Sequence, residues 1–164
     1  MLHGSIRRAK VFAVSLGALA VAGVVSAAPA HATTVVYVPD NCGYDDAQFF
    51  DTNYCTNGLF LYYHQNGAGG FATLQGNISN WSSTVIGSDD YDYIFWYMAG
   101  TDTDGAGQGV RNASASASDA SSTMTYTVYV SPDDSGNAQS FGPGSGIVNF
   151  NSNLDNNGAS QSWH

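Results

Sequence analysis

The sequence predicts an all-β domain made of two related halves, and three observations carry that expectation. The first is internal repetition. Leu154-Asp-Asn-Asn-Gly-Ala-Ser160 is echoed 44 positions earlier by Val110-Arg-Asn-Ala-Ser-Ala-Ser116. Upstream of each copy, a Tyr is followed after six residues by Gly and after four more by an apolar residue. This gives Tyr62, Gly69 and Leu74, then Tyr129, Gly136 and Phe141, at an offset of 67. The two offsets differ, so the first half carries an insertion of about 23 residues. The second observation is a series of short runs rich in Tyr, Val, Thr and Phe, separated by Gly, Asn, Asp and Ser, as strands and turns require. The third is that no stretch beyond residue 32 keeps an i, i+3, i+4, i+7 apolar pattern for three turns, so no amphipathic helix is expected.

Taken in order, residues 1–32 read as a secretory signal peptide. Arg7, Arg8 and Lys10 precede an apolar run from Val11 to Val25, and Ala30-His-Ala32 supplies small residues for cleavage. The run is shorter than the roughly 20 residues that span a bilayer, so export with removal of the leader is expected, and no membrane association afterwards. The mature chain would then be a single domain, residues 33–164. Its 13 acidic residues are all Asp, and three of the four basic residues leave with the leader. Arg111 stands alone against 13 aspartates, a net charge of −12. Such a chain cannot neutralise a phosphate backbone, so nucleic-acid binding is excluded. Cations, basic proteins and ligands held by aromatic and polar contacts remain.

Two cysteines follow, Cys42 and Cys55. In an exported protein an even pair reads most simply as a disulfide, worth about 3 kcal/mol by loop-closure entropy. A metal site would need two further ligands. Strands are expected over 34–38, 59–63, 70–74, 80–85, 93–98, 123–130, 138–141 and 147–150. The segment 93–98, Tyr-Ile-Phe-Trp-Tyr-Met, shows no alternation and reads as a strand buried on both faces, or as an aromatic ligand platform. Short strands at this spacing suit a sandwich or small barrel.

Several features together resemble a known family. The leader, the Cys-x12-Cys opening, the Leu61-Tyr62-Tyr63 strand, the Gly69 and Gly136 hairpins and the two Asn-x-x-Ala-Ser turns are similar to the small secreted bacterial peptidase-inhibitor family of βγ-crystallin-like fold, whose founding activity is metalloproteinase inhibition. The resemblance covers most of residues 42–164. It implies a double Greek-key sandwich, with a first half of about 42–118, an insertion of about 87–107 and a second half of about 123–164. It also implies a monomer that binds an extracellular protease through a surface loop. The second half has no cysteine, where better-stapled relatives hold a second disulfide, and no inhibitory loop residue carries over.

Calcium-binding crystallin turns read Asn/Asp, Asn/Asp, two variable residues, Ser/Thr, Ser. Asn156, Asn157 and Ser160 match three of these positions, and Asn112 and Ser116 match two. Gln161 and Ala117 stand where the last Ser would be. Oxygen-rich turns suit a hard cation, so these five residues are candidate weak calcium ligands, and no other cofactor is expected. Alternatively, the same side chains satisfy the backbone of a tight turn. Asp89-Asp-Tyr-Asp92 and Asp102-Thr-Asp-Gly105 read as acidic solvated loops, since neither has an acid at the closing ligand position. His64 and the terminal His164 are the histidines beyond the leader, and no Ser lies in a nucleophile-elbow context, so an enzyme is not expected. The leading expectation is a secreted inhibitor-like binding protein. A structural or calcium-binding crystallin-type module, or a toxin-like one, is the alternative.

Overall fold

A computed structural model describes residues 34–42, 55–87, 89–97 and 102–164. The expected leader, residues 1–32, lies outside them, as do 43–54 of the loop between the cysteines. Among the described residues there are ten strands: β1 (Thr34–Val38), β2 (Leu59–Tyr62), β3 (Phe71–Leu74), β4 (Thr84–Ile86), β5 (Asp89–Tyr93), β6 (Ser116–Asp119), β7 (Tyr126–Ser131), β8 (Ser135–Phe141), β9 (Val148–Asn149) and β10 (Ser160–Trp163). Local sequence explains the best-formed hairpins. β2 alternates buried Leu59 and Leu61 with half-buried Phe60 and Tyr62, the period-two signature of a strand with one face on the core. In β7 the first three residues are all buried, with Tyr126 and Val128 fully so and Thr127 6% exposed.

Strand order gives the architecture. One sheet runs β3-β2-β6-β9 and another β10-β7-β8. In each half the first strand lies between its hairpin partner and the fourth strand, while the third crosses to the opposite sheet. Thus β9, from the second half, pairs with β6, matching Ala117 to Val148. Reciprocally, the third strand of the first half, reduced to the isolated bridge at Ile78, pairs with Gln161 on β10. A fourth strand returning beside the first is a Greek key, and two of them exchanging their third strands close the sandwich. This is the all-β, double Greek-key fold that the crystallin resemblance implies.

The repeats map onto each other atom by atom. Tyr62 pairs with Ser116 in one half and Tyr129 with Ser160 in the other. Leu61 and Val128, Leu74 and Phe141, and Val110 and Leu154 occupy equivalent core positions, none more than 2% exposed. Trp81 N–H donates to Ala159 O and Phe150 N–H to Ala115 O, so two large buried aromatics are held at equivalent places in the two halves. Each such side chain removes enough apolar area to contribute roughly 1.5–3 kcal/mol.

After Trp81 the first half makes an excursion that rejoins at Val110, where the second half passes directly from Phe150 to Leu154. The excursion contributes β4 and β5, and β1 pairs in parallel with β5 to complete a third sheet, β1-β5-β4. Val38 and Tyr93, 1% and 2% exposed, tie this sheet to the core. Pro39 O accepts from Thr73 N–H, which brings Cys42 to within 5.3 Å (Cα–Cα) of Cys55, and the disulfide is formed.

The structure departs from sequence expectation at four places. β6 (Ser-Ala-Ser-Asp) and β10 (Ser-Gln-Ser-Trp) were not expected, because neither has the β-branched content of a typical strand. They are strands because each sits against two partners. The run over 80–85 is a turn followed by the short β4. The acidic Asp89-Asp-Tyr-Asp92 is not a loop but lies in β5, because Tyr91 and Tyr93 anchor its inner face to the core. The aromatic run after it is not a strand buried on both faces. Phe95 is fully buried, Ile94 and Trp96 are half-buried in isolated bridges, and Tyr97 is 39% exposed.

Asp119 is 2% exposed. Its Oδ1 accepts from Ser121 N–H at 2.7 Å, while Oδ2 has no hydrogen-bond partner among the described residues. Burial raises its pKa above the ordinary 3.8, only partly offset by that backbone bond. Burial does the same for Asp40 and Asp92. A folded-state pKa above the unfolded one means the native state binds more protons in the interval between them. Stability is therefore lower above the raised values and recovers as pH falls through them towards 3.8. We expect the melting temperature to rise on acidification from pH 7 into that window, and Asp119→Asn to shrink the rise. A melting temperature that falls monotonically there would contradict the assignment.

Candidate functional site

The two sequence-predicted turns come together at the pseudo-two-fold axis. Asn112 and Asn156 both adopt left-handed backbone, φ 59° and 55°, a conformation that Asn tolerates better than most residues. Asn112 N–H donates to Gly158 O and Asn156 N–H to Ser114 O, at 2.8 and 2.9 Å. Each turn therefore fastens the other.

Ser116 and Ser160, both fully buried, close the turns by the same pattern. Ser116 Oγ donates to His64 O at 2.6 Å and accepts from Gly67 N–H at 3.1 Å. Ser160 Oγ donates to Ser131 O at 2.7 Å and accepts from Asp134 N–H at 3.2 Å. Each hydroxyl thus holds the folded-over hairpin of its own half. The tyrosines before those hairpins are half-buried rather than buried. Their hydroxyls bond the next outward serine, Tyr62 to Ser118 at 3.2 Å and Tyr129 to Ser162 at 3.1 Å.

Asn157 lies one residue on, its Nδ2 donating to Asn153 O at 3.0 Å. Gln161 turns inwards. It is fully buried and its Nε2 donates to the carbonyls of Leu74 and Gly76, so it knits the sheets together from the position where a calcium turn would have its last serine. Its equivalent, Ala117, has no polar group to offer. No group of three or more His, Cys, Asp or Glu side chains converges among the described residues. With both serine hydroxyls engaged by the backbone, we expect calcium and magnesium at matched ionic strength to raise the melting temperature equally, by screening alone. A calcium-selective shift that Asn157→Ala removes would instead make these turns ligands.

Beside the second turn lies an open cleft of about 430 Å³ lined by Tyr63, His64, Gln65, Ala115, Asp155 and Asn156. Gln65 Nε2 donates to Asp155 Oδ2 at 3.2 Å across it. On its rim His64 Nε2 meets Asp104 Oδ2 at 2.7 Å, with side chains 46% and 62% exposed. The pair joins the first hairpin to the inserted loop 102–108, which Gly70 N–H also grips through Asp104 O. Gly105 (φ 84°) lies so close to the Tyr63 ring that a Cβ would fall 2.2 Å from Cγ. Asp102 Oδ1 caps Asp104 N–H, so this second acidic cluster is a turn, as expected. The His64–Asp104 pairing, across 40 residues, was not legible in the sequence. It has the form of a base with its orienting carboxylate, but Ser116 Oγ addresses the His64 carbonyl rather than its ring. Arg111 Nη1 donates to Asn80 Oδ1 and Ser82 Oγ, so the one arginine beyond residue 32 is committed to neutral oxygens.

No protein-family model matches the chain, and no curated protein matches it. A solved structure described under "Evolution of the eye lens beta-gamma-crystallin domain fold" aligns with 70% of this chain and 92% of its own, at 16% identity and a TM-score of 0.48. The double Greek key is read from strand order and register, independently of that likeness.

Proposed function

We propose that the chain is a secreted binding protein of the peptidase-inhibitor type, which presents a surface loop from a rigid β scaffold to an extracellular protease, with metalloproteinases the first class to test. The observation that favours this reading is the double locking of the scaffold: each hairpin is pinned within its own half at equivalent atoms by Ser116 or Ser160, and the two turns fasten each other through Asn112 and Asn156. Inhibition by an exposed segment draws its affinity from pre-organisation rather than from contact area, and a doubly tied sandwich supplies pre-organisation. The sequence resemblance adds the leader and the Cys42–Cys55 opening. No catalytic role is assigned to His64 or Asp104, and no cofactor is required.

The test is inhibition of a panel of extracellular serine, cysteine and metallo-peptidases by the purified mature chain. Saturable, stoichiometric inhibition of at least one class, without cleavage of the inhibitor, is the expected result. Inertness towards every class would favour the structural, non-inhibitory crystallin-type module, and a selective calcium response in the experiment above would identify its calcium-binding form.

A further inference from the structure

We infer that the outer face of the sheet β1-β5-β4 is a docking surface for an extended, basic segment of an extracellular protein, carrying two cationic side chains two residues apart with apolar neighbours. The face follows from register. Val35 pairs with Asp90 and Asp90 with Val85, forming one row across the sheet, while Tyr37 pairs with Asp92 in the next. Paired residues share a face and alternate residues return to it. Since Val36, Val38, Tyr91 and Tyr93 pack inwards, these five point away from the core. Val35, Tyr37 and Val85 are 46%, 57% and 65% exposed, large values for β-branched and aromatic side chains on a regular sheet.

The centre of this face is acidic and unsatisfied. Asp90 Oδ2 accepts from Ser83 Oγ at 3.3 Å. Among the described residues the Oδ1 atoms of Asp90 and Asp92 accept no hydrogen bond and are shielded from solvent, so each carboxylate can meet a partner only through its other oxygen. Partial burial and the neighbouring Asp90 carboxylate both raise the pKa of Asp92, as expected for like charges on one face without a counter-ion. Arg111 is engaged elsewhere, so the mature chain has no cation to spare. A second copy would bring the same excess of aspartate and be repelled. Charge complementarity therefore selects a cationic partner: lysine or arginine heads over the aspartates, with the flanking apolar side chains covering Val35, Tyr37 and Val85. The spacing of Asp90 and Asp92 is that of alternate residues on an extended strand. None of this depends on the partner being a peptidase.

The probe is a fluorescent synthetic peptide alternating lysine and valine, titrated with the mature protein at physiological ionic strength and followed by anisotropy. Saturable binding is expected, with Asp90→Asn/Asp92→Asn weakening it about tenfold through lost charge-assisted hydrogen bonds. The control is Asp133→Asn/Asp134→Asn, which makes the same charge change in the β7–β8 turn. Those residues have φ 57° and 53°, which Asn tolerates, and the affinity should move less than about twofold if bulk charge is a minor contributor. Val35→Ser/Val85→Ser, verified as folded by circular dichroism, should also weaken binding. The inference is overturned by absence of saturable binding, by equal losses in the two aspartate variants, or by sedimentation showing a self-dimer that hides the face.

Discussion

Gly136→Val should lower the melting temperature of the domain by about 10 °C, the largest effect expected of a single surface-turn substitution here, since roughly 3 kcal/mol of strain and repacking falls on a domain of this size. Two independent costs add. Gly136 has φ +84°, a region that β-branched residues scarcely enter. A Cβ there would also lie 2.7 Å from Val130 Cγ2 and 3.3 Å from Ser131 Oγ, and Ser131 is the residue whose carbonyl Ser160 holds. Gly69 is the equivalent position. It has φ +79°, and its Cβ would meet Tyr63 Cβ at 3.2 Å and His64 Cδ2 at 3.1 Å, the residues equivalent to Val130 and Ser131. Thermal unfolding of both valine variants checks the point. A melting temperature unchanged for Gly136→Val would mean that the hairpin does not fold as described.

Ser160→Ala and Ser116→Ala should each cost about 2 kcal/mol, and similar amounts, because each strips a carbonyl and an amide of their shared partner at a buried site. Ser118→Ala and Ser162→Ala are the controls. They remove hydroxyls that bond only a half-buried tyrosine hydroxyl and should cost less than about 1 kcal/mol. Chemical denaturation of the four variants separates the cases. A serine of the first pair that proves neutral would break the equivalence of the halves.

These predictions also show what the sequence makes legible. The Tyr–Gly–apolar template and the Asn-x-x-Ala-Ser turns are readable because they encode backbone demands: left-handed φ at Gly69, Gly136, Asn112 and Asn156. The closing serine of each turn is the first residue of β6 or β10, yet those strands were invisible. Ser-Ala-Ser-Asp and Ser-Gln-Ser-Trp carry no local preference for strand, and their conformation is imposed by the neighbours on either side. The acidic β5 misleads for a related reason, since its three aspartates outweigh the two tyrosines that fix it. Gln161 was noticed only as a missing calcium ligand. Its role between the sheets depends on the carbonyls of Leu74 and Gly76, more than 80 residues away in sequence. The third-strand exchange and the His64–Asp104 pair also join residues distant in sequence, and no local pattern encodes them.

The central claim is that two related halves exchange their third strands to close one sandwich. Cross-strand NOEs in the isotope-labelled protein of residues 33–164 test it most directly. The account predicts contacts between Ile78 and Gln161 and between Val148 and Ala117, each linking one half to the other. Contacts that instead keep Ile78 beside β6 and Val148 beside β10, each within its own half, would contradict it.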